Sequence, residues 1–400
     1  MTKIVDIEDI RKKREKKEIG IPIENINKKE LKRRGHEIGD ILGCDEKGEE
    51  ICVRKGKGNL YVDGNMEKEQ LFDFMRSQIY QNIQRGDSMV IVDLGSRIYK
   101  RELWIYLTIH GYRVDSYNMD CMTESDCFNC LDGLGAENEE QIVMIANDII
   151  DDQKYKFMTY PVETACKALL SAVLLASLTE MEESDRNMLE IATIFRLGVS
   201  GTMLDKILHV MFEELDETSS AKQLFAMYSE AEEGIRMEAI QKIGNALAVY
   251  EKRANGSLCD NFRTNRYDME MPVKEKSVLF IESGQLPEDK VLFSVFMERL
   301  YDSMLKKAEE RQQDVTVMLL DYPYYGGLCG LEKYMEEGPE KGICTTLYED
   351  DRKLDGSGYA PHLVELYSLC DISVCIKDTE IPLCEIEKCE NPVTGECSKR

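Results

Sequence analysis

Two apolar runs of this chain end in a carboxylate: residues 89–92 lead into Asp93, and "VTVMLL" leads into Asp321. An acid closing a buried strand is where nucleotide hydrolases hold the magnesium that organises a phosphate. The same residue is an ordinary polar stop at the carboxyl edge of a sheet, and taken singly both aspartates read as stops. The position after Asp321, where an acid would polarise an attacking water, holds Tyr322. A phenol with a pKa of about 10 is a poor base at neutral pH. Pro323, Tyr324 and Tyr325 follow. Three phenols around a proline suit either a docking edge, where tyrosine is enriched, or a cap on the core.

A second place for chemistry is "GNLYVDGNMEKEQLFDFMRSQIYQ", which runs from an apolar strand at 60–62 through Asp63 and Gly64 into an amphipathic helix. A phosphate loop here reads G-x-x-x-x-G-K-[ST], so that backbone N–H groups and one lysine surround the phosphates at a helix N-terminus. After the strand there is one glycine, Gly64, followed by Asn65. Lys68 comes four positions after Gly64 instead of six, and Glu69 and Gln70 replace the hydroxyl that would hold magnesium. Gly64, Asn65, Lys68, Asp321 and Tyr322 together outline at most the vestige of a nucleotide pocket.

Other reactive residues form no recognisable constellation. His36, His110, His209 and His362 are scattered, none beside a Ser or Cys in a nucleophile context, so no catalytic residue is assigned. His110 precedes Gly111 at an expected helix end, where an imidazole satisfies carbonyls. The turn "DGSGYAP" at 355–361 suits an anion cradle or, more simply, a surface turn. Fourteen cysteines with no export signal read as reduced thiols. Cys127 and Cys130 form one C-x-x-C, and Cys384, Cys389 and Cys397 are loosely spaced. No second pair completes a tetrahedral zinc set, so no metal site is assigned.

The elements that must position these residues are set by composition and periodicity. The 400 residues carry a net charge of −25, unevenly placed. Residues 1–34 hold twelve Lys or Arg against seven Asp or Glu, a balance of +5 that leaves −30 for the rest. Such a body repels nucleic acid unless its basic groups share one surface, and contact with DNA is left open. The basic run 11–17 reads as a solvated helix end, or as a contact for DNA, an acidic membrane surface or a neighbouring subunit. The apolar stretch 168–178 is too short to span a bilayer and reads as a buried helix. A cytoplasmic protein is expected.

Short strands and turns are expected over 39–58, then a strand at 60–62, a helix with Phe72, Met75, Ile79 and Ile83 on one face, a strand at 89–92, a helix at 99–110 and a strand at 113–117. This is the rhythm of βαβ units. From 137 to 241 only helices are expected, at 139–150, 162–179, 188–197, 202–213 and 221–254. Strands return at "SVLFIES", "DVTVMLLD", "ICTTLY" and "ISVCI", with a helix carrying Leu292, Phe296, Leu300 and Met304 and another at 362–370. Continuous apolar strands of this kind are buried on both faces. The expectation is a three-layer α/β parallel-sheet domain interrupted by an all-helical domain. Its segments are a basic helical leader at 1–38, a first half-domain at 39–136, the all-helical domain at 137–265 and a second half-domain with a cysteine-containing tail at 266–400.

The order of these pieces resembles the coupling proteins of type IV secretion, the TraG and VirD family of conjugative DNA-transfer ATPases. The resemblance runs from about 39 to 376. "GDILG" and "GNLYVDG" are similar to the family's entry into its phosphate loop, and "MVIVDLGSRIY", "HGYRVDSYNMD" and "ESDCFNC" to the stretch after it. There the family has a D-P-K-G-E turn, a G-Y-x-V strand and an S-D-x-[FY]-N-P turn. "VETACKALLSAVLLASL" resembles the start of the family's all-alpha domain, and "VTVMLLDYPYYGGL" stands in the place of its L-L-D-E-F strand.

The resemblance implies a P-loop NTPase-like (RecA-like) fold, with Gly64 matching the loop's first glycine and Asp321 the magnesium-organising acid. The loop's lysine and hydroxyl have no counterpart, the D-P-K-G-E turn reads "DLGSR", and the catalytic acid is Tyr322. The resemblance therefore implies a degenerate member: a catalytically silent adaptor or regulatory subunit of a transfer apparatus, with a relaxase and an intact coupling ATPase as partners, in a homo- or hetero-oligomer. ATP and magnesium are not expected as cofactors. It would be cytoplasmic, with partners holding it at the inner face of the membrane. Two other readings stand beside it: an active NTPase in which Lys68 or Lys57 reaches the phosphates, and an acidic module that binds the basic surfaces of other proteins.

Overall fold

Apolar strands build one seven-stranded sheet whose two faces are both covered. Its strands are β4 (Asn59–Gly64), β5 (Ser88–Asp93), β6 (Arg113–Asn118), β7 (Ser277–Glu282), β8 (Val315–Leu319), β9 (Ile343–Asp350) and β10 (Cys370–Ile376), in the spatial order β10-β4-β9-β8-β5-β7-β6. The pairings of β10 with β4, β4 with β9, β9 with β8 and β8 with β5 are parallel. The computed structural model describes residues 24–25, 41–44, 50–52, 58–64, 75, 78–83, 85–93, 98–119, 121, 125–151, 158–196, 200–253, 260–263, 267–282, 289–320, 328, 330–350, 366 and 368–376.

All six residues of β5 and of β7 are buried, as a strand covered on both faces requires. On one face, Leu60, Val62, Met89, Ile91, Val278, Phe280, Met318 and Tyr348 share a core with Met75, Ile79 and Ile83 of a helical segment and with Leu103 and Leu107 of α1 (Ile98–Ile109). The helical segment stops at Gly86, whose φ of 81° is the left-handed conformation that glycine tolerates best and whose N–H bonds the Asn82 carbonyl. On the other face, Tyr301 bonds Thr345 at 2.9 Å and stacks on Tyr334 with ring centres 4.8 Å apart. Each fully buried aliphatic side chain contributes about 1.5–3 kcal/mol, so this double cover is what holds the sheet.

The chain divides into two compact units: Met1–Asp115, Met269–Ile281 and Tyr301–Arg400 form the first, Ser116–Asp268 and Glu282–Leu300 the second. The second unit therefore begins before the boundary expected at 136/137. It holds α2 (Glu139–Asp151), α3 (Tyr160–Glu180), α4 (Met188–Arg196), α5 (Gly201–Glu213), α6 (Ser220–Ser229) and α7 (Glu233–Arg253). α3 is long and apolar enough to cross a membrane by length and composition, but 72% of its apolar window is buried inside the protein. It is the core helix of this unit.

Three expected elements differ from the observed ones. The single helix expected at 221–254 is two, α6 and α7, broken at 230–232. Nothing in Glu230, Ala231 and Glu232 disfavours helix; the break is held from outside, by Arg236, whose Nη1 donates to the Ala231 carbonyl at 2.7 Å while its other nitrogens reach α5. Cys370, expected to end a helix, starts β10 and pairs with Asn59. Within the segment expected to be a helical leader, the described residues Glu24–Asn25 form a short strand, β1, antiparallel to β3 (Glu50–Cys52), which also pairs with β2 (Ile41–Cys44).

Candidate functional site

The strand order makes the carboxyl end of β4 the candidate site. From β4 the chain proceeds to β5, beyond β9 and β8, whereas from β9 it proceeds in the opposite direction, to β10. Neighbouring parallel strands whose connections run in opposite directions leave the sheet on opposite faces, and ligands of open α/β sheets bind in the crevice outside their carboxyl ends. Gly64 is the last residue of β4 and lies in register with Asp350 of β9 and Ile376 of β10. The start of β4 is locked by Asn59, whose Nδ2 donates to the Met335 carbonyl at 2.6 Å and whose Oδ1 accepts the Thr345 N–H at 2.9 Å.

Asp93 ends β5 at the same edge of the sheet and is buried. The register of β5 with β8 sets it beside Leu320, whose N–H bonds the Val92 carbonyl. Among the described residues, acids stand at strand ends in Asp63, Asp93, Glu282, Glu349 and Asp350, and Asp63 is in register with Glu349. Of the expected site residues, Gly64 is thus placed at the switch point. Asn65, Lys68, Asp321 and Tyr322 lie outside the described residues, as do Tyr324, Tyr325, the 355–361 turn, His36, His362 and the three C-terminal cysteines.

The two described histidines both serve their helices. His110 Nδ1 lies 2.8 Å from the Tyr106 carbonyl, and its own carbonyl accepts from Lys276 Nζ at 3.0 Å. His209 Nδ1 lies 2.9 Å from the Asp205 carbonyl. Cys127 and Cys130 are buried and in no disulfide, and burial pushes Cys130 up to about 12, which removes its nucleophilicity at neutral pH. Among the described residues no group of three or more His, Cys, Asp or Glu side chains is placed to hold a metal.

Within the "ESDCFNC" segment, the described residues 125–130 form a structural clamp of the second unit. Ser125 Oγ accepts the Asn118 N–H at 3.0 Å, and the Asp126 N–H bonds the Ser116 carbonyl. Phe128 packs edge-on against Tyr117 and Phe296, which stack on each other with centres 4.0 Å apart. Asn129 Nδ2 donates to the Arg186 carbonyl at 2.8 Å. These contacts explain why the helical unit starts at Ser116.

Sequence reasoning missed a buried polar cluster in the same unit. Asp205 of α5 accepts from Tyr228 Oη at 2.7 Å and from Arg236 Nη2 at 3.1 Å. Burial, with the Asp205 carboxylate alongside, pushes the Tyr228 phenol well up from its ordinary value. The one signal available was an aspartate at an inward position of α5, between Leu204 and Leu208.

A parallel sheet of this order, covered on both faces and approached through a switch-point strand that leads into a helix, defines the three-layer P-loop NTPase-like class. No family model matches the sequence, and no curated protein matches it. Solved structures match the fold. The unbound monoclinic form of the bacterial conjugative coupling protein TrwBdeltaN70 superposes with a TM-score of 0.59 at 15% identity, covering 88% of this chain and 77% of that one. The plasmid coupling protein TrwB in complex with ADP and Mg2+ gives 0.57 at 14% identity over 88% and 79%. Its complex with the non-hydrolysable ATP analogue ADPNP gives the same TM-score, identity and coverages. At this identity the likeness is one of fold.

Proposed function

We propose that this chain is a catalytically silent, coupling-protein-like adaptor or regulatory subunit of a conjugative DNA-transfer, type IV secretion apparatus. One conjunction carries the reading: a TrwB-like fold whose switch-point strand leads into a loop without the second glycine, the lysine or the hydroxyl, with Tyr322 where the catalytic acid would stand. Phosphoryl transfer depends on positioning and electrostatic stabilisation, so losing these groups together removes most of the acceleration.

The partners this role implies are a relaxase and an intact coupling ATPase, with the chain on the cytoplasmic side, held at the inner face of the membrane through them. The test is thermal unfolding and phosphate release with MgATP. At about 1 mM nucleotide the midpoint rises by less than about 1 °C and no phosphate appears. Saturable binding with turnover abolished by Asp321→Ala would refute silence and establish an active NTPase with a rearranged loop.

A further inference from the structure

The sheet ends in β6 on one side and in β10 on the other. An edge strand turns the N–H and C=O groups of alternate residues away from the sheet, where they template pairing with another chain. At β6 the chain itself takes up these groups. The Ser116 N–H reaches Asp126 Oδ2 at 3.3 Å, the Asn118 N–H reaches Ser125 Oγ, and the Ser116 carbonyl accepts the Asp126 N–H at 2.9 Å. The acceptors and donor all belong to the segment that follows β6 within a few positions. Beyond β10 no strand lies among the described residues. Its seven residues, "CDISVCI", hold a single charge and form an apolar edge of the kind that pairs with other chains when left open.

The residues after β10 have the composition of a returning strand. Lys377, Asp378, Thr379 and Glu380 are a polar connection, and Ile381, Pro382, Leu383, Cys384, Glu385 and Ile386 are a second short apolar run. Four-residue loops built on a turn join hairpin strands, and many doubly wound sheets carry one antiparallel strand at the edge of an otherwise parallel sheet. Pro382 fits only such a place, because a residue without an N–H is confined to edge strands, with its nitrogen turned away from the neighbour. It also selects the phase of the pairing. With 377–380 as the loop, Ile376 and Ile381 are a hydrogen-bonded pair, so Cys375 with Pro382 is a non-bonded one, Val374 with Leu383 bonded, and Ser373 with Cys384 non-bonded. A two-residue loop at 378–379 gives the same partners in the opposite phase and demands of Pro382 a bond it cannot make.

We infer that residues 381–386 run back antiparallel along β10 as an eighth strand of the sheet. Continuity decides the occupant: a four-residue connection holds this segment at an effective concentration of about millimolar, ahead of any strand arriving from solution. The new edge is then blunted by Pro382, Glu385, Glu387 and Lys388, in the way edge strands are protected from further pairing. The tail in this way closes the sheet against a second chain, as the segment after β6 does on the other side.

Ser373→Cys in the full chain tests the register. Non-bonded partners have Cα atoms about 4.5 Å apart, within the reach of a disulfide. Treated with oxidised glutathione, this variant forms a 373–384 disulfide in preference to linkage with Cys389 or Cys397, at a yield independent of dilution. Trypsin cuts after Lys377, between the two positions, so mass spectrometry reads the linked peptides directly. Val374→Cys is one residue out of phase and faces the other side of the sheet, and it links to Cys384 at least about tenfold less. In the chain with its natural cysteines, Leu383→Pro removes the N–H that reaches Val374, and amide exchange along β10 quickens about tenfold or more while that of β5 is unchanged. Equal linkage from positions 373 and 374 overturns the inference. So does preferential linkage to Cys389 or Cys397, a disulfide that joins two chains and grows with concentration, or exchange along β10 indifferent to Leu383→Pro.

Discussion

Replacing Asp205 by alanine tests the account of how α5, α6 and α7 are held together. The Asp205 side chain is 7% exposed and the Arg236 side chain 19%, and Tyr228 is fully buried. Asp205→Ala removes the acceptor of the Tyr228 hydroxyl and the counter-charge of Arg236 at once. Breaking a buried pair from one side costs about 3–5 kcal/mol because the remaining charge is left without compensation. Arg236 keeps its bond to the Ala231 carbonyl and some contact with water, so the lower end applies, about 3 kcal/mol or roughly a hundredfold in the local opening equilibrium.

Because the effect is local to α5, α6 and α7, amide hydrogen exchange resolved along these helices is the appropriate assay. Exchange quickens first around 228–236, where Arg236 bridges the helix break. Asp205→Asn retains an acceptor for Tyr228 and loses only the charge, so it costs about half as much. Joining Asp205→Ala with Arg236→Met recovers part of the loss, since an apolar replacement of both partners leaves no orphaned charge. A loss below about 1 kcal/mol for Asp205→Ala, or strict additivity in the double variant, would show that the ion pair is not what sets the junction.

Two further outcomes are expected of the same molecule. Cys130, raised to about 12 by burial, resists alkylation in the folded chain at mildly alkaline pH and reacts once denaturant opens the second unit; mass spectrometry of labelled peptides reads this, and fast native labelling would disprove its burial. Tyr106 is raised to about 12, first by burial and then by neighbouring Tyr80, so its folded value exceeds its unfolded one. Its contribution to stability is therefore complete below about pH 10 and is lost as pH rises from there through 12, which phenolate absorbance set against unfolding follows.

Legibility in the sequence depended on how local each determinant is. β5 and β7 were readable because each holds an unbroken run of four apolar residues, and the end of α1 because Gly111 marks it. The α6–α7 break was not, since it is imposed by Arg236 and Asp205, 31 residues apart, on a stretch that locally favours helix. Cys370 was misplaced for a similar reason: its partner is Asn59 at the other end of the chain. At the candidate site, the sequence located Gly64 after an apolar strand, but that β9 and β10 flank it is a fact of pairing, invisible to any window. The readings of Lys68, Asp321 and Tyr322 remain inferences from residue type and order.

The flanking of β4 by the last two strands has a consequence for how the protein is made. At about 10 residues per second, roughly half a minute of synthesis separates the emergence of Asn59 from that of Cys370. For nearly all of that interval, until β9 emerges shortly before β10, a hydrophobic strand has neither of its lateral neighbours, and an unpaired strand edge invites pairing with the wrong chain. A nascent chain stalled or cleaved before β9 is therefore expected to be taken up by chaperones or proteases, while a release just after Ile376 lets both sides of the strand zip together.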